Sequence, residues 1–98
     1  MFSITRSVRF DDVDEDAGYE YHGWSYDVES AGALFKVRRY EGDSESLTVI
    51  SPTDARSKPE ARALVAYLLE AIGGNTVSFY DSLAGKFRAV DVRTMEFV

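Results

Sequence analysis

The stretch "SKPEARALVAYLLEAIGG", residues 57–74, decides the class of fold, because it alone carries a clear helical period. Ala61, Leu64, Val65, Leu68 and Ile72 recur at spacings of three and four, which lays an apolar stripe along one side of a helix. Arg62 and Glu70 fall elsewhere on the wheel. Ser57 and Glu60 have the spacing of a capping box, and Pro59 stands in the first turn, where a missing N–H does no harm. Gly73 and Gly74 follow the last apolar residue and supply the left-handed conformation that ends a helix. Upstream, "SPTDA" predicts one short extra turn starting at Ser51.

Outward from the helix the signals are those of strands. Downstream, "NTVSFYD" and "KFRAVDV" read as two strands joined by "SLAG" in a hairpin, with "TMEFV" continuing the last strand. Upstream, "LTVIS" is a short strand and "EGDSES" a polar turn, while "LFKVRRY" sets Phe35 and Val37 against Lys36, Arg38 and Tyr40. "ESAGA" reads as a tight turn around Ala31 and Gly32. At the N-terminus Phe2, Ile4, Val8 and Phe10 alternate with Ser3, Thr5, Ser7 and Arg9, the period of a half-buried strand, although Arg6 falls in the apolar series. In "YEYHGWSYDV", Tyr19 and Tyr21 share one face and Trp24, Tyr26 and Val28 the other. A bulge at His22-Gly23 would bring all five onto one side, and glycine tolerates it. The predicted fold is therefore α+β: an antiparallel sheet in the order ββββ-α-ββ, with one amphipathic helix packed on one face, in a single domain spanning residues 1–98. Consecutive strands joined by short connections point to antiparallel pairing.

Composition narrows the activities. With six Tyr, six Phe and one Trp the chain has the aromatic content of a folded domain, and with no Cys it has neither a disulfide framework nor a thiolate nucleophile. The segment "MFSITRSVRF" lacks an apolar core of signal-peptide length, so a soluble, cytoplasmic protein with no membrane contact is expected. The net charge of −6 is unevenly spread. Residues 10–35 hold no Lys or Arg and eight carboxylates, whereas the remainder holds all 11 basic residues against nine acidic ones. That overall sign disfavours direct nucleic-acid binding.

The densest acidic stretch is "RFDDVDEDAGYEY", where Asp11, Asp12, Asp14, Glu15 and Asp16 occupy five of six positions. Asp12, Asp14 and Asp16 have the alternation of a calcium loop, yet the sixth and twelfth positions of that register are Ala17 and Gly23 rather than Gly and a bidentate Glu. No metal and no cofactor are therefore expected, and the loop itself reads as a solvated connection between the first two strands. His22, the only histidine, has no serine in a nucleophile setting to serve, and it reads as a bulge or edge residue. "IGGNT" lacks the lysine and spacing of a phosphate loop. Lys36 and Arg38 suit neutralisation of Asp27 or Glu29 across a hairpin better than a nucleic-acid face.

These exclusions leave a non-enzymatic protein-interaction module as the expected function. Its binding residues would be Asp11, Asp12, Asp14, Glu15, Asp16, Tyr19, Tyr21, Trp24 and Tyr26, facing a protein partner with a basic surface. The sharper form is an acidic inhibitor or immunity-type protein that blocks a nucleic-acid-facing groove on that partner. The alternative is a small-molecule-binding domain with an aromatic-lined pocket between sheet and helix, of about 300 Å³ or more. Homodimer formation, through an edge strand or the helix, is compatible with either.

Overall fold

The computed structural model describes residues 1–43 and 45–98. Among them β1 (Ser3–Asp14), β2 (Tyr19–Ser30), β3 (Ala33–Tyr40), β4 (Ser46–Ser51), β5 (Thr76–Asp81) and β6 (Lys86–Ala89) form one sheet whose spatial order is their order in the chain. Helix α1 (Ala61–Ala71) and a short 3-10 turn (Ala55–Ser57) lie between β4 and β5. The fold is α+β, as the sequence predicts, with the helix packed near β4 and β5. The polar turn expected over residues 41–46 includes Ser44, which lies outside the described residues.

The first four strands are an antiparallel meander. Its β2–β3 connection turns at Ala31 and Gly32, with φ of 48° and 84°, the positive values a tight hairpin requires. β5 and β6 form the expected hairpin. The pairing of β4 with β5 departs from expectation: it is parallel. Hydrophobic alternation does not encode strand direction, and here α1 serves as the long crossover that a parallel neighbour needs. The C-terminal segment also differs. The strand ends at Ala89, residues 92–94 turn, and Phe97 comes back to form an antiparallel bridge with Val90.

The stripe on α1 is confirmed, since Ala61, Leu64, Val65 and Leu68 are buried and Ile72 packs against them. They meet Val28, Phe35, Val37, Leu47, Val49, Val77 and Phe79 on one sheet face. Burial of each large side chain contributes about 1.5–3 kcal/mol before ordering costs. The capping box does not form. Glu60 takes the N-cap position with no side-chain bond, and the Ser57 hydroxyl instead donates to the carbonyl of Asp54, closing a 3-10 turn that begins at Ala55, later than the Ser51 start expected, because Ser51 still belongs to β4. Pro59 explains the difference: it holds Lys58 extended, so the helix starts after it rather than at Ser57.

Two register shifts set the faces. The first leaves Thr5 unpaired between Ile4↔Val28 and Arg6↔Asp27. Ile4 and Phe2 therefore turn toward the core, while Arg6, Val8 and Phe10 lie on the opposite, helix-free face. The apolar series of β1 is split in two, and Arg6 belongs with the outward half. The second shift, between Lys36 and Val37, sets Ile50 apart from the ladder with β3. No shift occurs at His22-Gly23, where β2 pairs continuously with β1 and Gly23 opens the ladder with β3. The bulge predicted there is a misreading of Gly23, whose absent side chain serves another purpose.

Candidate functional site

Gly23 faces Phe10 on β1 and Tyr40 on β3. The two rings meet edge to face, 5.5 Å between centroids. A Cβ added to this buried glycine would also collide with the carbonyl oxygen of Arg39. Glycine is thus required by the close approach of the Arg39–Tyr40 backbone, a known use of glycine in a strand interior.

From that point a row of rings runs toward the β1–β2 turn. Tyr40 lies 6.1 Å from Tyr21, and Tyr21 lies 6.1 Å from Tyr19. Tyr19 and Tyr21 are 60% and 45% exposed. β3 ends at Tyr40 opposite Gly23, so β2 runs on from Tyr19 to His22 paired only with β1. This two-stranded arm stands clear of the helix layer. Arg38 lies over the Phe10 ring at 4.4 Å and reaches Asp12 at 3.4 Å, tying the base of the ring row to the acidic strand. Lys36 meets Asp27 at 3.4 Å, the neutralisation anticipated across this hairpin.

The continuous register divides the candidate residues. Asp12, Asp14, Tyr19 and Tyr21 share the helix-free face. Asp11, Trp24 and Tyr26 lie on the other. Glu15 and Asp16 are in the exposed turn. Tyr26 is half-buried against the core, whereas Trp24, 37% exposed, sits between Arg9 and Arg39 in register. The four aromatic candidates do not make one patch.

On the second face of the arm the acidic residues are partly engaged. Asp11 lies 2.5 Å from Nδ1 of His22, and Glu20 lies 3.5 Å from Nε2. The Asp11 contact first, then Glu20, raises the His22 pKa above its ordinary value, and His22 holds the Asp11 carboxyl below its own. Both ring nitrogens thus face carboxylates, an arrangement that favours the imidazolium, in which each nitrogen donates an N–H. Arg9 adds a two-pronged contact to Glu41 at 3.3 Å and approaches Asp11 at 3.6 Å. His22 is a paired strand residue in a charge network rather than a bulge.

A cleft of about 310 Å³ opens at the step where β3 stops, lined by Glu20, Tyr21, His22, Tyr40, Gly42 and Asp43. It lies at the base of the arm and not between sheet and helix. A second cleft, of about 270 Å³, lies between the 3-10 turn and the β5–β6 turn, beside Arg56, Asp81 and Phe97. Its Asp81 is held by Arg88 at 2.9 Å and by the N–H groups of Leu83 and Ala84, which together keep the carboxyl below its usual range. Arg56 and Arg88 also pack over Phe97, so these charges secure the C-terminal segment.

The carboxylates of the turn form no metal cage. Asp12 is engaged by Arg38, and Asp14 accepts the N–H of Ala17. Among the described residues no three His, Asp or Glu side chains converge on a metal position. Sequence reasoning found the tyrosines and carboxylates but assigned no role to the Phe10–Gly23–Tyr40 contact or the His22–Asp11 pair. Both depend on register across two strand pairs, and the only local signal was a glycine within an aromatic run. No family model, curated protein or solved structure was found to match the chain. Among the described residues no helix is long and apolar enough to cross a membrane.

Proposed function

We propose that the protein is a non-enzymatic interaction module whose β1–β2 arm docks on a basic surface of a protein partner. The observation that carries this reading is the exposed ring row Tyr19–Tyr21–Tyr40 on an arm whose tip carboxylates are left for an outside cation. Among the described residues Asp14, Glu15 and Asp16 have no ion-pair partner. Tyrosine supplies contact area with little ordering cost, and the surrounding carboxylates would steer a basic partner and fix its orientation. In the sharper form, the acidic tip occupies a groove on the partner that otherwise holds nucleic acid, as an inhibitor or immunity-type protein does.

The test is capture of partners from the native host at low and high salt, with wild type, Tyr19→Ser/Tyr21→Ser and Glu15→Gln/Asp16→Asn side by side. The reading expects a basic protein that is released by salt and lost with either double variant. Capture that is insensitive to salt and to both variants would overturn it.

A small-molecule role is the second reading, favoured by the cleft between Tyr21 and Tyr40, whose volume is at the lower end of ligand pockets. It expects a ligand to shift the NMR signals of Tyr21, Tyr40 and Gly42 together, without those of Tyr19.

A further inference from the structure

We propose that β1 is a self-association edge: two copies pair antiparallel along residues 6–14, about a two-fold axis at Phe10, and join their sheets into one. The proposal does not rest on the docking function, because it uses the free side of β1 and leaves Tyr19 and Tyr21 on β2 uncovered.

β1 is an outer strand of the sheet and the longest kind present, 12 residues. Among the described residues it pairs with β2 alone, so its other side presents a row of backbone donors and acceptors. Proteins usually blunt such an edge with charged side chains, lysine above all, or with a proline, a bulge or a short strand. The opposite edge follows that rule, since β6 has only four residues. β1 has its bulge at Thr5, near one end, and beyond it residues 6–14 pair with β2 position for position, with neither Pro nor Lys among them.

The charges of this stretch suit it to a second copy of itself. Arg6 and Arg9 lie in its first half, and Asp11, Asp12 and Asp14 in its second. In a continuous antiparallel pair related by a two-fold axis, facing residues lie on the same side of the sheet. Their numbers therefore add to an even sum. The midpoint of residues 6–14 is Phe10, which fixes the sum at 20 if the whole regular stretch is used. Arg6 then faces Asp14 of the other copy and Arg9 faces Asp11 of the other copy, each twice by symmetry. Phe10 faces its counterpart, and Ser7 faces Val13. Moving the axis to Arg9 sets Arg9 against itself; moving it to Asp11 does the same to Asp11. Opposite charges directly across a strand pair are favourable and like charges are not, so the charge pattern selects the Phe10 register.

A second observation agrees. Arg6 makes no ion pair among the described residues, although Asp27 is its cross-strand neighbour, because Asp27 is taken by Lys36. Asp14 likewise meets only the backbone of Ala17. The Phe10 register joins these two unmatched charges.

The experiment is sedimentation equilibrium of the full chain across a concentration series at moderate salt. Wild type is expected to approach twice the chain mass of 11.0 kDa. Arg6→Glu/Arg9→Glu and Asp11→Lys/Asp14→Lys each place like charges in register and are expected to remain monomeric. A 1:1 mixture places every Glu opposite a Lys, and dimer is expected to return. A monomeric wild type, a dimer indifferent to both variants, or a mixture that fails to associate would overturn the proposal. Should either charge variant unfold, an arm with small substitutions decides the matter. The chain has no Cys, so Ser7→Cys and Val13→Cys proteins can be mixed and oxidised. Cross-linking between the two variants, but not within either alone, is expected; cross-linking without that selectivity, or none, would overturn the register.

Discussion

The two halves of β2 lie in one strand and obey different constraints. From Tyr26 to Ser30 the strand is covered by the core, with Val28 fully buried against the face that α1 closes. From Tyr19 to His22 it has a strand partner on one side only and no helix above it. In the first half each side chain is fixed by what surrounds it. In the second, rings and charges are held by one another, through the Phe10–Tyr40 contact, the Arg38–Asp12 pair and the His22–Asp11 pair. A shared backbone can therefore carry a scaffold at one end and an exposed, pre-arranged surface at the other.

The largest effect that would sharpen this contrast lies in the core. Leu68→Ala is expected to lower unfolding free energy by about 2–5 kcal/mol in urea denaturation, because the cavity cannot be filled by solvent-facing groups. At the junction of the two halves, Gly23→Ala is expected to cost about 1–3 kcal/mol, since the added methyl has to displace the Arg39 carbonyl or the strand itself. No loss of stability there would break the account of why this position is glycine. On the arm, Tyr19→Ser/Tyr21→Ser is expected to change stability by at most about 1 kcal/mol, the scale of an exposed ring pair, while abolishing partner capture. A collapse of the fold on that substitution would show the arm to be structural.

The smallest expected effect is electrostatic. By NMR, His22 should titrate above its ordinary value of about 6.5, and Asp11→Asn should move it down. A raised histidine pKa stabilises the fold most fully below the unfolded value, and that contribution fades as pH rises through the folded one. Asp11, held low, contributes above its unfolded value and loses its share as pH falls through the depressed one. The pair is therefore complete in the mildly acidic window between those limits. A His22 midpoint at or below the ordinary value would remove the charge network from the picture.

Much of the scaffold was legible from residues alone, because burial imposes a period. Ala61, Leu64, Val65 and Leu68 announce the helix, and Phe35 and Val37 announce the inner face of β3. The direction of β5 was not legible, since the residues of a strand flanked by a helix look alike whichever way it pairs. The arm was legible in composition and misread in geometry. Gly23 signals an exceptional position without saying whether the exception is a bulge or a close approach. Thr5, where the bulge does occur, is an ordinary strand former that gives no signal.

That unpaired threonine has a consequence for how the chain tolerates changes in length. Strand faces are counted in twos, so one surplus residue swaps the sides of everything beyond it. With the Ile4 end held in place, deleting Thr5 itself would only remove the bulge, since Ile4 and Arg6 already face the consecutive residues Val28 and Asp27, whereas deleting Ser7 would turn Phe10 away from Gly23 and Tyr40 and set Arg9 and Asp11 in its row. The division of β1 into an anchored end and an outward end is thus written as a parity, one that a single-codon deletion beyond Thr5 reverses and a second, nearby insertion restores.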